Sequence, residues 1–218
     1  MKLIKMSGIL LVVMLVFFCY SVSEASTFPY ELNVTRDILL GAAGLSTIGL
    51  SMYLDRYMEI PDEQDINNLD KSDINRFDRS AADNWSENAR SASDILLLSS
   101  SVSPLLLLVP DITEREWSDF ATVLIMYAEA MAINLGITDT VKVLVNRKRP
   151  YLYNNSVSMQ KKINGGSGSV KSFYSGHTSI AFCSAVFLSK VYSDIYPGSR
   201  TRYLLSGVSL TAAATTGY

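Results

Sequence analysis

Two cationic residues, Lys142 and Arg149, stand seven positions apart in the run Lys-Val-Leu-Val-Asn-Arg-Lys-Arg-Pro. Residues 118–149 have a helical pattern, and Pro150 is expected to end the helix because proline has no N–H to donate. Seven residues are about two helical turns, so both side chains are expected on one face. A guanidinium fork beside an ammonium group suits a multiply charged anion such as phosphate. The alternative is a basic, solvated helix end that complements the helix dipole.

A second polar motif, Ser175-Gly176-His177, precedes another apolar segment. Ser175 can cap a helix that starts after it, and Gly176 lets a ligand approach the backbone closely. The first N–H groups of a helix lack intrahelical partners and form an anion site. His177 is the one histidine of the chain, and an imidazole beside bound phosphate can protonate a leaving alkoxide. The alternative is a capping serine followed by an ordinary surface histidine.

The order and separation of the two motifs, Lys-x6-Arg-Pro followed by Ser-Gly-His, resemble the type 2 phosphatidic acid phosphatase superfamily. That superfamily also contains bacterial acid phosphatases and vanadium haloperoxidases. Its second motif usually reads Pro-Ser-Gly-His, and here Tyr174 replaces the proline, which affects the turn rather than the chemistry. The resemblance is specific within residues 142–179. It implies an all-α helical bundle that catalyses phosphate ester hydrolysis with no metal ion and no other cofactor.

The resemblance also implies a role for each motif residue. Lys142 and Arg149 would bind the substrate phosphate, and Ser175 and the backbone of Gly176 would donate hydrogen bonds to it. His177 would be the acid that protonates the leaving group. Cationic side chains and helix N–H groups would stabilise the developing charge, the part that metal ions take in other enzymes. The expected substrate is a phosphorylated small molecule, a lipid phosphate or a lipid pyrophosphate.

The third motif of the family, an arginine followed by a histidine and an aspartate, does not occur in these 218 residues. Its histidine is the nucleophile that forms a phosphohistidine intermediate. One explanation is a chain truncated before that motif, which an end inside the apolar, small-residue segment 206–218 favours. Another is a non-catalytic protein that binds phosphate or membranes. A third is vanadate-dependent halide oxidation, because vanadate mimics phosphate in the same site.

The composition favours one domain preceded by an export signal. Residues 1–25 start with Lys2 and Lys5, continue through an apolar run and end in a small-x-small cleavage site, the pattern of a signal peptide. An uncleaved membrane anchor is the alternative. Residues 26–218 are then one helical phosphatase-like domain, incomplete at its C-terminus. The net charge of −2 gives no global field for nucleic acid.

The apolar segments predict helices and an association with membranes. Charged residues make up 18% of the chain, so several helices must be buried in protein or in lipid. If three segments crossed before Lys142, the site would face the cytoplasm, whereas membrane members of the family generally present it to the outer face. We therefore expect that 36–54 or 94–109 does not cross, or that an exported helical domain lies in the periplasm or at the inner membrane. Either way, the site would face away from the cytoplasm.

Further elements are predicted around the motifs. Apolar spacing from Phe77 to Trp85 predicts an amphipathic helix, and Thr113 with Glu116 predicts a capping box. Glycine and asparagine mark residues 151–171 as a loop that could act as a substrate-selecting lid. Glu129 lies among apolar residues, where a carboxylate needs a partner, so it is either a structural acid or a group that orients a site cation. Later helices are expected at 177–192 and 203–216.

Overall fold

The computed structural model describes residues 28–106 and 117–217. The predicted signal peptide at 1–25 and the predicted capping box of Thr113 and Glu116 lie outside the described residues. Helical residues make up 74% of the described ranges, which contain no β-strand. The prediction of an all-α fold is therefore confirmed.

Five long helices and two short ones build the described part of the chain. Three of them match the segments predicted at 36–54, 177–192 and 203–216. Short 3₁₀ turns lie in the connections between them. The helices are α1 (Val34–Asp55), α2 (Glu63–Asn67), α3 (Glu87–Leu106), α4 (Trp117–Val145), α5 (Met159–Ile163), α6 (Gly176–Ile195) and α7 (Thr201–Thr216).

Helix α4 is the central element, about 43 Å long at 1.5 Å per residue. It runs parallel to α1, and glycines bring the two backbones close together. A Cβ atom on Gly44 would lie 2.8 Å from the Cβ of Ala132, and one on Gly136 would overlap the side chain of Thr47. Small residues on both helices therefore fix their separation.

Helices α3 and α6 run antiparallel to α4 and connect to it through buried polar groups. The hydroxyl of Tyr127 donates to the carbonyl of Ser101 at 2.8 Å and lies 2.8 Å from the hydroxyl of Ser184. Helix α7 returns antiparallel to α6, with Ala213 packed against Ala181 and Ala185. The long helices thus alternate in direction. The end of α4, the start of α6 and the end of α7 all lie at one end of the bundle.

The main apolar core lies at the opposite end of the bundle. It joins the first half of α4 to the second half of α6 and to the start of α7. Phe28, Leu105, Phe120 and Phe187 pack around it. Its buried members are Val123, Leu188, Val191, Tyr192, Ile195, Tyr196 and Leu205. The bundle is therefore held by apolar packing at one end, and its other end is free to carry polar side chains.

The prediction of an amphipathic helix from Phe77 to Trp85 is wrong. The structure has a 3₁₀ turn at Arg79–Ala82, and the side chain of Phe77 is 91% exposed. Asn75 accepts a hydrogen bond from the backbone N–H of Phe77 at 3.2 Å. Such side-chain bonds give the backbone N–H groups partners that compete with an α-helix.

Residues 151–171 are more ordered than a solvent-exposed polar loop. They contain most of one 3₁₀ turn, Pro150–Tyr153, all of α5, and all of a second 3₁₀ turn, Gly166–Val170. Leu152 and Val170 are buried, with 1% and 2% of their surface exposed. The prediction of a loop is thus right only for the short connections. A lid function for this segment stays a prediction.

Two stretches are long and apolar enough to cross a membrane by length and composition: α1, and residues Trp117–Tyr153 around α4. Helix α1 also exposes large apolar side chains over much of its length. Val34, Leu45 and Met52 are 75%, 69% and 63% exposed. The described part of the chain therefore presents an apolar outer surface on the side of α1.

Candidate active site

Lys142 lies in the last turn of α4 and reaches the first residue of α6. A Cβ atom built on Gly176 would lie only 2.5 Å from the Lys142 Nζ. Helix α4 ends soon afterwards because Asn146 adopts a left-handed conformation with φ of 45°. Its N–H bonds the carbonyl of Lys142 at 3.0 Å, the pattern of a helix C-cap. This ending turns the chain toward α6 directly after Lys142.

The prediction that Arg149 shares a helical face with Lys142 is wrong. The helix ends at Val145, four residues before the predicted end at Arg149, and Arg149 has an extended conformation. Its backbone N–H donates to the carbonyl of Ser169 at 2.7 Å, and its Nε donates to the carbonyl of Gly168 at 2.7 Å. The 166–170 turn, rather than helical spacing, therefore positions Arg149.

Lys142 and Arg149 are nevertheless close enough to influence each other. Burial lowers the pKa of Lys142 below its ordinary value of 10.5, and the nearby carboxylate of Asp139 opposes this effect. The charges of Arg149 and Lys171 lower that pKa further. Asp139 lies 3.8 Å from the Lys142 Nζ, while Asp55 pairs with Lys171 at 2.5 Å. Arg149 and Lys171 therefore lie close enough to Lys142 to repel its charge, and a bound anion would relieve this repulsion.

Ser175 and Gly176 form the start of α6. The Ser175 Oγ caps the helix by accepting the N–H of Thr178 at 3.3 Å. Capping uses the oxygen as an acceptor, so the hydroxyl hydrogen can still be donated to a ligand. The N–H groups of the first helical turn point outward beside the Lys142 ammonium. This combination of N–H groups and a cation is suited to an oxyanion.

A buried hydrogen-bond network holds the start of α6 against α4. The Oγ1 of Thr138 lies 3.0 Å from the Tyr174 hydroxyl and 3.0 Å from the Ser179 hydroxyl. Ser179 also donates to the Asn134 Oδ1 at 2.8 Å. Thr138 is 1% exposed, so the network is shielded from water. Tyr174, at the position where the family usually has proline, thus anchors the turn before the Ser-Gly-His motif.

His177 lies between the first turn of α6 and the N-terminal part of α3. Its Nδ1 is 3.1 Å from the Ser93 Oγ, and its Nε2 is 3.5 Å from an Asp94 oxygen. The Ser93 hydroxyl also bonds the carbonyl of Thr216 at 2.9 Å. The imidazole is therefore held on both sides by residues that are distant in sequence.

A cleft of about 1060 Å³ opens beside His177 and Arg149. Its walls come from the start of α3, from the segment before it and from the 150–168 region. Trp85 and Tyr151 pack with ring centroids 5.5 Å apart, and the Lys161 ammonium lies 4.5 Å from the centroid of the Trp85 ring. The cleft is large enough for a substrate group much bigger than phosphate.

The structure thus brings the five predicted site residues to one end of the bundle. Lys142 lies against Gly176, Ser175 and His177 flank Gly176 in the chain, and Arg149 shares the cleft with His177. Their functional roles remain predictions.

Glu129 does not take part in this site, so the hypothesis that it orients a site cation is wrong. It lies thirteen residues before Lys142 on α4, about 20 Å along the helix axis. The charged neighbours that affect its pKa are Asp37 and Arg36, near the start of α1, while desolvation raises that pKa. Glu129 therefore belongs to the opposite half of the bundle.

Sequence reasoning missed the contribution of α3. Ser93, Asp94 and Arg90 line the cleft with His177, although they precede the first motif by about fifty residues. The one available signal was the change from polar to apolar residues after Asp94. That change indicated that an apolar helical segment begins near Asp94, but it did not indicate which other elements this segment contacts.

Comparison with protein families gives a match for the C-terminal part of the chain. Residues 123–218 match the PAP2 superfamily. This match supports the assignment of the segment to the PAP2 superfamily. The resemblance stated from the two motifs is confirmed, since both lie inside the matched segment. No curated protein and no solved structure matches this chain. A match to this superfamily, which acts on phosphorylated substrates, suggests phosphatase-type activity.

Proposed function

We propose that this protein is a metal-independent phosphatase that hydrolyses phosphate monoesters, lipid phosphates or lipid pyrophosphates at the site around Gly176. The observation that carries the proposal is the position of the Lys142 ammonium beside the backbone of Gly176, at the N-terminus of α6. Arg149 and His177 face the adjoining cleft. A phosphate held there has cations, backbone N–H groups and an acid within reach.

Each residue has a separate part in the proposed reaction. Lys142 and Arg149 neutralise the phosphate oxygens, and the N–H groups of the first turn of α6 and the Ser175 hydroxyl donate hydrogen bonds to them. His177 transfers a proton to the leaving oxygen as the bond between phosphorus and that oxygen breaks. The leaving group occupies the large cleft beside His177.

The proposed intermediate is a phosphohistidine, which needs a histidine other than the acid. His177 is the one histidine of the 218-residue sequence, so this nucleophile must come from outside these residues. The end of α7 supports a position for it. The carbonyl of Thr216 bonds Ser93 beside His177, and a Cβ on Gly217 would overlap Thr178 in the first turn of α6. A segment that follows α7 would begin at the site.

The proposed location is the periplasm or the inner membrane, with the site facing away from the cytoplasm. The apolar surface of α1 supports membrane association, because monomeric soluble proteins rarely expose large apolar patches. We expect the protein to stay with membranes through a high-salt wash. Release by salt would contradict apolar association.

The activity test is phosphate release from p-nitrophenyl phosphate and from phosphatidic acid, without added metal. It compares the 218-residue chain with a form extended beyond Tyr218, each with a His177→Ala control. We expect no release from the 218-residue chain and release from the extended form that His177→Ala abolishes. Release by the short chain would contradict an external nucleophile. No release from either form would refute the proposed phosphatase activity and favour a phosphate-binding protein. If vanadate then supports halogenation of an added dye, the protein is instead a haloperoxidase.

A further inference from the structure

We propose that Ser93 of α3 is a positioning residue that fixes the tautomer of His177, with the proton on Nδ1 and the exchangeable site at Nε2. The catalytic use of this tautomer rests on the proposed function. The tautomer itself is a property of the folded chain without substrate. Ser93 lies outside both motifs and outside the segment that matches the family.

The direction of the hydrogen bonds around Ser93 carries this inference. The Ser93 Oγ lies 2.9 Å from the carbonyl oxygen of Thr216 and 3.1 Å from the Nδ1 of His177. A carbonyl oxygen can only accept, so the single hydroxyl hydrogen is used on Thr216. The Ser93 oxygen must then accept from His177. Nδ1 therefore carries a proton whether the ring is neutral or cationic.

The carbonyl of Thr216 is well suited to hold the hydroxyl in this direction. It lies at the C-terminal end of α7, where the last four carbonyl groups of a helix lack intrahelical partners. Gly217 packs so closely on Thr178 that a Cβ atom would overlap the threonine side chain. The acceptor is thus held near the first turn of α6, and α3, α6 and α7 meet at Ser93.

The fixed tautomer determines which nitrogen can act on a substrate. When the ring is cationic, Nε2 carries the second proton and lies 3.5 Å from the Asp94 carboxylate. Transfer of that proton to a leaving oxygen leaves a neutral ring with Nδ1–H, which still bonds Ser93. No rearrangement of the ring is needed during the step. Nε2 then has a free lone pair that can accept a proton from the attacking water of the second half-reaction.

The test is a ¹⁵N NMR measurement of the imidazole at a pH where the ring is neutral. The chain has one histidine, so the two ring nitrogens are the only histidine signals to assign. We expect a protonated Nδ1 and an unprotonated Nε2 in the wild type. Ser93→Ala should produce a mixture of tautomers, and Ser93→Thr, which keeps the hydroxyl, should retain the wild-type pattern.

Ser99→Ala is the matched control, because the Ser99 hydroxyl bonds the Ile95 carbonyl within α3 and does not contact His177. A wild-type ring protonated on Nε2, or a Ser93→Ala ring identical to wild type, would overturn the proposal. The wild-type and Ser93→Thr spectra decide the question if Ser93→Ala does not fold. In an active, extended form, Ser93→Ala should lower kcat with little change in KM. Absence of all phosphatase activity would refute the proposed function and leave the tautomer assignment intact.

Discussion

Replacing Gly176 by alanine tests the contact that defines the site. The new Cβ would lie 2.5 Å from the Lys142 Nζ, closer than real side-chain carbons approach other atoms. The Lys142 ammonium is the flexible end of a long side chain, so it can move by about 1 Å at little cost to folding. A charge-assisted hydrogen bond to phosphate has a length of about 2.7–2.9 Å, so that displacement would break it.

The expected loss follows from the value of one hydrogen bond to a charged group. Such a bond contributes about 1.5–3 kcal/mol, which corresponds to a roughly 10- to 150-fold increase in Kd. Isothermal titration of inorganic phosphate measures this change. The thermal unfolding midpoint should stay within a few degrees of wild type.

Two controls separate this effect from general damage. Gly207→Ala places a Cβ in open space on α7 and should leave phosphate affinity unchanged. In a Lys142→Met background, Gly176→Ala should have little further effect, because both changes remove the same interaction. An unchanged Kd in the single Gly176→Ala variant, or a full additional loss in the Lys142→Met background, would refute the proposed contact.

Three further predictions follow from the packing and the charges. Phosphate affinity should fall as pH rises through the lowered pKa of Lys142, which lies below 10.5, because the neutral amine no longer attracts the anion. Calorimetric titrations of phosphate across this pH range should show the fall in wild type and not in Lys142→Met. Gly136→Ala should destabilise the fold by about 1–3 kcal/mol, because the new Cβ overlaps Thr47. Gly49→Ala, whose Cβ faces open space, should not destabilise the fold. Equal unfolding midpoints for the two variants would contradict this account of helix packing. Tyr127→Phe should cost about 0.5–1.5 kcal/mol, because it removes the buried hydroxyl that bonds the Ser101 carbonyl of α3. Denaturant unfolding equal to wild type would refute the role of this hydroxyl.

Without phosphate, the pKa shift of Lys142 has a consequence for stability. The folded chain binds a proton at Lys142 less readily than the unfolded chain does, because its pKa is lowered on folding. The contribution of Lys142 to stability therefore increases as pH rises through the lowered pKa and up to the ordinary value of 10.5. Bound phosphate should reverse this trend, because it favours the protonated amine.

The two motifs could be predicted from sequence because each uses local rules. Ser175 is a capping residue before an apolar segment, and the structure begins α6 at Gly176. The position of Arg149 could not be predicted in this way. Its place depends on the left-handed conformation of Asn146 and on backbone bonds to the 168–172 segment, which are tertiary contacts.

The contribution of α3 was equally beyond local patterns. Ser93 lies 84 positions before His177, and a single serine in a helix has no distinctive spacing. The Phe77–Trp85 error has a different origin. The apolar residues are spaced as in an amphipathic α-helix, but side chains such as that of Asn75 accept hydrogen bonds from nearby backbone N–H groups, which competes with α-helix formation.

The most direct test of the central claim is a double-mutant cycle on phosphate affinity with Lys142→Met and Arg149→Met. If both side chains hold one phosphate at the N-terminus of α6, each change should raise Kd at least about tenfold, and the two effects should not add. Isothermal titration of inorganic phosphate into wild type, both single variants and the double variant measures the coupling. Wild-type binding that neither substitution weakens would show that phosphate binds elsewhere and would contradict the site described above.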